Sequence, residues 1–385
     1  MNLNIKTFLL SLCLIACNSC VRDNFEENTV DHTVIVCMLA NNDLYKNALS
    51  NINQMEWAWK NGYNGNLVVL INPKDSNKDT YLLKIEHDNN MEEIKSPIIE
   101  VFKDMDMINS HNLNTLICNT QKRYPSKKYS IILWSHATGW LPPNALVRSF
   151  GESNNFQMDI HNLAQAIPSH SFETLIFDAC YMGSVEVAYE LKDKANYIIA
   201  SPSEIITLGF PYSSIIPLLF NKNVLPAKIG ASYYDFYKQQ VGINKSATIG
   251  VVKTSELVKL VNITKTVISN ASISQSFYDN LKNVQCYDRY ANKITFDFKQ
   301  VIDLLCKNNT NLKSAFEKAM ENAVIYTAHT DSFMNEIEIK YCSGLSCYVP
   351  TENANYEISN YYKTLNWYKD SGFNLLCGNE FNIHR

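Results

Sequence analysis

The chain has 385 residues, 46% of them hydrophobic and 11% aromatic, with a formal net charge of −4. That is enough apolar material for one large core, or for a main domain with an appendage. The charge is too small to point to nucleic acid or an anionic membrane surface as a partner. With only 12 glycines and 11 prolines, the sequence shows no low-complexity tract and no internal repeat.

Residues 1–16 read as an export signal. Met1 to Lys6 supplies a short charged start, and Thr7 to Ala16 is an apolar run too short to span a bilayer. Leu14-Ile-Ala-Cys17 has the small-residue-then-cysteine form of a bacterial lipobox, so the segment resembles a lipoprotein signal cleaved before Cys17 and acylated on it. An ordinary signal-peptidase site is the alternative, and Cys20 is a poorer match to the lipidated position. Residues 17–31, with Asp23, Glu26 and Glu27, then form a solvated tether. The expectation is an exported protein, lipid-anchored to the bacterial cell envelope at its periplasmic face or its surface.

Thr33 to Leu39 is a buried strand, Leu44 to Trp59 an amphipathic helix, and Asn66 to Ile71 a second strand closed by Pro73 and Lys74. Leu82 to Glu86 and Ile98 to Phe102 fit a small hairpin or an extra layer. Asn112 to Tyr124 is a helix with Leu113, Leu116 and Ile117 on one side. Tyr129 to His136 and Thr174 to Cys180 are further strands, followed by a helix from Ser184 to Leu191 and a strand from Tyr197 to Ala200. This alternation predicts an α/β fold, a three-layer α/β/α sandwich with a mainly parallel sheet over residues 32–230. Over 231–385 the pattern changes to a strand at Thr248 to Lys253 and helices at Glu256 to Ser269, Val301 to Cys306 and Leu312 to Tyr326. A strand at Tyr341 to Pro350 and an aromatic-rich helix at Tyr356 to Tyr368 complete it, giving a helical C-terminal appendage whose last strand returns to the main sheet.

Eleven cysteines in an exported chain invite disulfides, but setting aside Cys13 in the signal and Cys17 as anchor leaves nine, an odd number. Cys37, Cys306 and Cys377 sit in apolar runs and read as packing thiols. Cys342 and Cys347 are near enough to bridge a turn, and no spacing fits a zinc site. The informative cysteine is Cys180. Its strand, beside that of His136 in a parallel sheet, would bring thiol and imidazole together at the carboxyl edge, where α/β sheets build their sites.

A cysteine is a nucleophile as the thiolate, and a helix beginning near Gly183 together with His136 as imidazolium would lower its pKa. His136 would then protonate the leaving amine. The backbone N–H groups of Ala137 and Cys180 are the candidates for stabilising an oxyanion. Asp178 alternates with Cys180 and faces the same side, where a carboxylate suits a cationic side chain; the competing reading is a cap on the following helix. Glu204 would add charge to the same pocket. Trp140 either walls the cleft or packs in the core, and His161 and His170 read as surface residues.

Trp134-Ser-His-Ala-Thr-Gly-Trp140 and Phe177-Asp-Ala-Cys-Tyr-Met-Gly-Ser-Val-Glu-Val-Ala-Tyr-Glu190 resemble the histidine and cysteine motifs of the clostripain family of cysteine peptidases. Val36-Cys-Met-Leu-Ala-Asn-Asn-Asp-Leu44, Ala200-Ser-Pro-Ser-Glu204 and Tyr348-Val-Pro350 extend the likeness over most of the chain. The resemblance implies a caspase-like fold and a His136–Cys180 dyad acting on protein or peptide substrates, with Asp178 lining a pocket for Arg or Lys at P1. It also implies self-cleavage in the loop between the two motifs, here after Arg148 at the Arg148–Ser149 bond, leaving a monomer of two associated chains. Calcium, which some relatives use, is allowed by the resemblance, although no acidic cluster marks a calcium loop. The family carries Gly where this chain has Ala137. A methyl group is then expected beside the substrate carbonyl, which motivates the alternative of a weak or inactive peptide-binding lipoprotein.

Overall fold

The computed structural model describes residues 29–377 apart from 75, 77, 144–149, 154–155, 224, 290–292, 307–308 and 351–354. The signal segment, Cys17 and the Arg148–Ser149 bond lie outside the described residues. A nine-stranded sheet runs through the molecule, formed by β1 (Val30–Leu39), β2 (Gly65–Asn72), β3 (Thr80–Lys84), β4 (Ile98–Phe102), β5 (Ser126–Trp134), β6 (Phe172–Asp178), β7 (Ala195–Ala200), β8 (Thr248–Lys253) and β9 (Val324–His329). Across the sheet the order is β9-β8-β7-β6-β5-β1-β2-β3-β4. The five central strands from β7 to β2 are parallel, and two antiparallel strands extend each edge.

The inner segments of the central strands, such as residues 34–39 and 131–134, are continuous apolar runs because both of their faces are covered. In β1, Val34, Val36 and Met38 enter one core while Ile35, Cys37 and Leu39 enter the other. The first core is closed by α1 (Tyr45–Ala58), α5 (Tyr212–Leu219) and α6 (Pro226–Lys238). The second is closed by α2 (Ser110–Arg123), α3 (Ile160–Ala166), α4 (Val185–Glu190), α7 (Leu257–Asn270) and the helices Phe298–Cys306 and Thr310–Ala323. This is the three-layer α/β/α sandwich that the alternation of elements predicts.

Several boundaries differ from the sequence reading, each for a local reason. β5 and β6 stop at Trp134 and Asp178, two residues short of the expected ends at His136 and Cys180. The segments at 80–84 and 98–102 form no separate layer but lengthen the main sheet beyond β2. Helix α5 escaped notice because Pro217 lies inside it. The expected helix over Leu312 to Tyr326 ends at Ala323, and the β-branched and aromatic run from Val324 pairs with β8 as β9. β9 is therefore the strand that returns to the sheet; of Tyr341 to Pro350 only Ser346–Tyr348 is strand, paired with Thr295–Asp297 outside it. The expected helix from Tyr356 to Tyr368 is two, Tyr356–Tyr362 and Asn366–Asp370. Cys342 and Cys347 are buried free thiols, not a disulfide.

The two glutamates of α4 hold these C-terminal segments. Glu186 accepts from the Tyr348 N–H at 2.9 Å and from the Tyr362 hydroxyl at 3.3 Å. Glu190 accepts from the Asn366 and Trp367 N–H groups and from Asn366 Nδ2. The acidic residues of the Val-Glu-Val-Ala-Tyr-Glu string thus satisfy backbone donors of the C-terminal segments, which otherwise would be buried without partners. Glu186 is fully buried, and desolvation lifts its carboxyl to about 7, against the backbone N–H of Tyr348 that favours the charged form. Its Oε2 has no partner among the described residues, which a neutral carboxyl tolerates better than a carboxylate.

Between the ordinary glutamate range and pH 7 the folded chain keeps a proton that the unfolded chain has released, so stability falls as pH rises through that window. Glu186→Gln retains the acceptor oxygen and cannot ionise. Urea unfolding at pH 5 and pH 8 should show the variant gaining on the parent by on the order of 3 kcal/mol between the two conditions. A difference that does not change with pH would refute the account.

Candidate active site

The register of β5 against β6 pairs Ile132 with Ile176 and Trp134 with Asp178. Past that last pair the chains leave the sheet together, with Ser135 N–H donating to the Asp178 carbonyl at 3.4 Å. His136 and Cys180 are thus each two residues beyond a matched pair, where the two chains leave the carboxyl edge. The loops that follow touch backbone to backbone. Gly139 has φ +70°, and a Cβ placed on it would lie 2.7 Å from the Tyr181 carbonyl oxygen, so no larger residue fits. Tyr181 itself sits at φ 59°, unusual for a non-glycine residue, and is pinned by its N–H on the Ser203 carbonyl and its hydroxyl on Glu204.

Cys180 is held by the backbone of Ile205. Its sulfur accepts from the Ile205 N–H at 3.3 Å and its thiol faces the Ile205 carbonyl at 3.5 Å. Burial pushes the thiol up to about 12, assisted by Glu204 and Asp178 and opposed by the Ile205 N–H and Arg289. This corrects the expectation of a thiol lowered by the next helix. α4 starts at Val185 and has six residues, and Ser184 caps it through the Val187 N–H, so Cys180 does not stand at a positive helix end. His136 is turned to a residue that sequence reasoning passed over: its Nε2 lies 2.7 Å from Asp43 Oδ1. Asp43 belongs to the turn between β1 and α1, and only the neighbouring order of β1 and β5 reveals that it faces the histidine.

Asp178 is buried beneath this edge. Its Oδ2 accepts from the Phe210 N–H at 3.0 Å and the Tyr212 hydroxyl at 2.9 Å, while Oδ1 has no hydrogen-bond partner among the described residues. Gly209, at φ +66°, passes so close that a Cβ would meet Asp178 Oδ2 at 2.7 Å. Desolvation raises this carboxyl to about 6, and the two donors oppose the shift. Asp178 does not cap the helix that follows Cys180. Glu204 offers no free charge, because Arg289 grips it with two hydrogen bonds of 2.8 and 2.9 Å and the Tyr181 hydroxyl adds a third. Arg289 continues to Glu336, forming a chain of charges that the sequence did not suggest.

Ala137 is buried in the core on the α2 side of the sheet, which corrects the expectation of its methyl in the cleft. Among the described residues, the N–H groups of Ala137 and Cys180 are not taken up by any carbonyl or side chain. Trp140 packs between the rings of Tyr348 and Tyr362, at 5.1 and 4.8 Å. His161 contacts Thr364. Among the described residues no group of three or more His, Cys, Asp or Glu side chains is placed to hold a metal ion.

The profile of the clostripain family matches residues 36–375. Clostripain from Hathewaya histolytica is 25% identical over 342 residues, 78% of this chain and 60% of that protein; the chain thus spans about 60% of the length of this curated relative. An inactive zymogen C11 protease from Parabacteroides distasonis superposes with a TM-score of 0.75 at 29% identity, over 89% of this chain and 99% of the other. A clostripain from Bacteroides thetaiotaomicron, in complex with the peptide inhibitor BTN-VLTK-AOMK, matches 57% of this chain and 97% of its own at 30% identity, with a TM-score of 0.51.

A thiol held this high reacts in proportion to its small thiolate fraction. Iodoacetamide labelling of Cys180, followed by mass spectrometry on the intact chain, should accelerate about tenfold per pH unit from pH 7 to pH 9 without levelling. A plateau near neutrality would mean that the thiolate is already formed.

Proposed function

The chain belongs to the clostripain family of cysteine peptidases, and from that premise we propose that it is an endopeptidase with Cys180 as nucleophile and His136 as general base and acid. The observation that carries the reading is the shared edge: two residues past the Trp134–Asp178 pair, both motifs leave the sheet and their loops are locked at Gly139 and Tyr181. A peptide carbonyl over Cys180 would find the Ala137 and Cys180 N–H groups unengaged among the described residues, as an oxyanion requires.

The substrate side chain we assign to P1 is Arg or Lys. Support comes from Asp178, whose Oδ1 has no hydrogen-bond partner among the described residues. It also comes from the relative whose inhibitor sequence contains lysine. Glu204 would contribute to such a pocket only on parting from Arg289. The thiol bound to Ile205 and raised to about 12 suits a resting precursor. Cleavage after Arg148 by the enzyme itself is the activating step we infer, with the resulting chains remaining associated. Export and acylation at Cys17, tethering the peptidase to the cell envelope, complete the reading from Leu14-Ile-Ala-Cys17.

Fluorogenic arginyl and lysyl peptides assayed with the parent and Cys180→Ala test the activity; equal background from both proteins would sink it and leave a peptide-binding module. The P1 assignment has its own signature. Below about pH 6 Asp178 is neutral and cannot pair with a cation, so KM for an arginyl peptide should climb as pH falls, by up to about tenfold per pH unit, and Asp178→Asn should flatten that dependence. For self-cleavage, Arg148→Ala expressed beside the parent should stay as one chain; two fragments from both would refute the site.

A further inference from the structure

We propose that Asp43 is a positioning residue for His136, its carboxylate holding the imidazole by Nε2 so that Nδ1 is left as the nitrogen that receives the Cys180 proton. The inference rests on the reading of Cys180 and His136 as the reacting pair. The contact is 2.7 Å long, and it joins a side chain 71% exposed to one 23% exposed. A contact that open to solvent adds too little to folding to be explained as a structural device. Its consequence is orientation. A carboxylate on one ring nitrogen keeps the proton there and makes the other nitrogen the base.

The turn that carries Asp43 is built to hold it still. Asn42 Nδ2 donates to the Leu39 carbonyl at the end of β1, and Asn42 Oδ1 accepts from the Leu44 N–H, both at 2.9 Å, so the backbone on either side of Asp43 is clamped by one side chain. Ser135, the residue before His136, donates its hydroxyl to the same Leu39 carbonyl at 3.0 Å. Asp43 and His136 thus hang from a common oxygen on neighbouring strands. That fixes their spacing without any help from the pair itself.

In the step this serves, the Sγ–H bond of Cys180 breaks and an Nδ1–H bond forms on His136, while the electron pair left on sulfur adds to the scissile carbonyl carbon. Asp43 balances the imidazolium so formed. When the adduct collapses, the C–N bond breaks and the Nδ1 proton passes to the leaving nitrogen. Water then attacks the thioester, its proton returning through Nδ1 to the departing sulfur.

Two readouts test the assignment on the full chain. With histidine labelled by nitrogen-15 and the His136 signals identified through His136→Gln, the parent should show the Nε2–H tautomer and Asp43→Ala a mixture of both. With an arginyl peptide amide, Asp43→Ala should lose about 10- to 100-fold in kcat with KM within about twofold, and Asp43→Glu should recover part of the loss, at an unchanged thermal midpoint. An unaltered tautomer, or a kcat within about twofold of the parent, overturns the proposal. Should the parent show no turnover while its tautomer still responds to Asp43→Ala, the peptidase reading fails and the positioning contact stands.

Discussion

The parallel pairing of β1, β5 and β6, with β5 at the centre, is the constraint on which the site depends. Hydrogen bonds between these strands set Met38 beside Trp134 and Trp134 beside Asp178. Because helices seal both faces of these strands, their interior positions are committed to packing, and chemistry is confined to where the chains leave the sheet. Three turns leave at that edge, one bringing Asp43, one His136 and one Cys180. A slip of one residue in either pairing would exchange the faces and bury the wrong side chains.

Burial then sets the charge state of what lies there. Asp178 and Cys180 project to the same side of β6 and its continuation, and both are pushed toward their neutral forms by loss of water. Glu204, in the same region, has a two-pronged partner in Arg289. The edge therefore contains one compensated carboxylate, one carboxyl raised by burial and a thiol shared with a backbone amide. A cation bound at Asp178 would favour its ionised form and lessen the cost of its burial, so binding of a cation there and the protonation of that carboxyl would be linked.

The sheet was legible because buried parallel strands are written as continuous apolar runs, and Thr33 to Leu39, Asn66 to Ile71 and Thr174 to Phe177 have no competing pattern. His136 and Cys180 were legible because they end such runs inside specific motifs. Asp43 was not, although it stands in a quoted motif, since its role depends on β1 lying next to β5 and no local pattern encodes that order. Arg289 pairs across 85 residues with Glu204, and such a contact leaves no periodic trace. The run Val324 to His329 was misread because the helix before it ends directly into a strand, with no glycine or proline to mark the change.

The C-terminal residues belong to the wall of the site as much as to an appendage. Ser346 N–H donates to the Gly183 carbonyl in the loop that follows Cys180, and Gly183 N–H in turn donates to Ser201 before the Glu204 turn. Trp140, four residues past His136, is wedged against Tyr348 and Tyr362, the two residues whose donors Glu186 accepts. A continuous set of contacts thus runs from the histidine loop, through the C-terminal aromatics and the buried Glu186 at the start of α4, back to the cysteine loop. Loosening of the Glu186 contacts would free both loops at once, because each is braced against the same pair of tyrosines and the same helix. The acidic string after the cysteine is retained in this reading for what it braces, and the chemistry falls to the edge it keeps in shape.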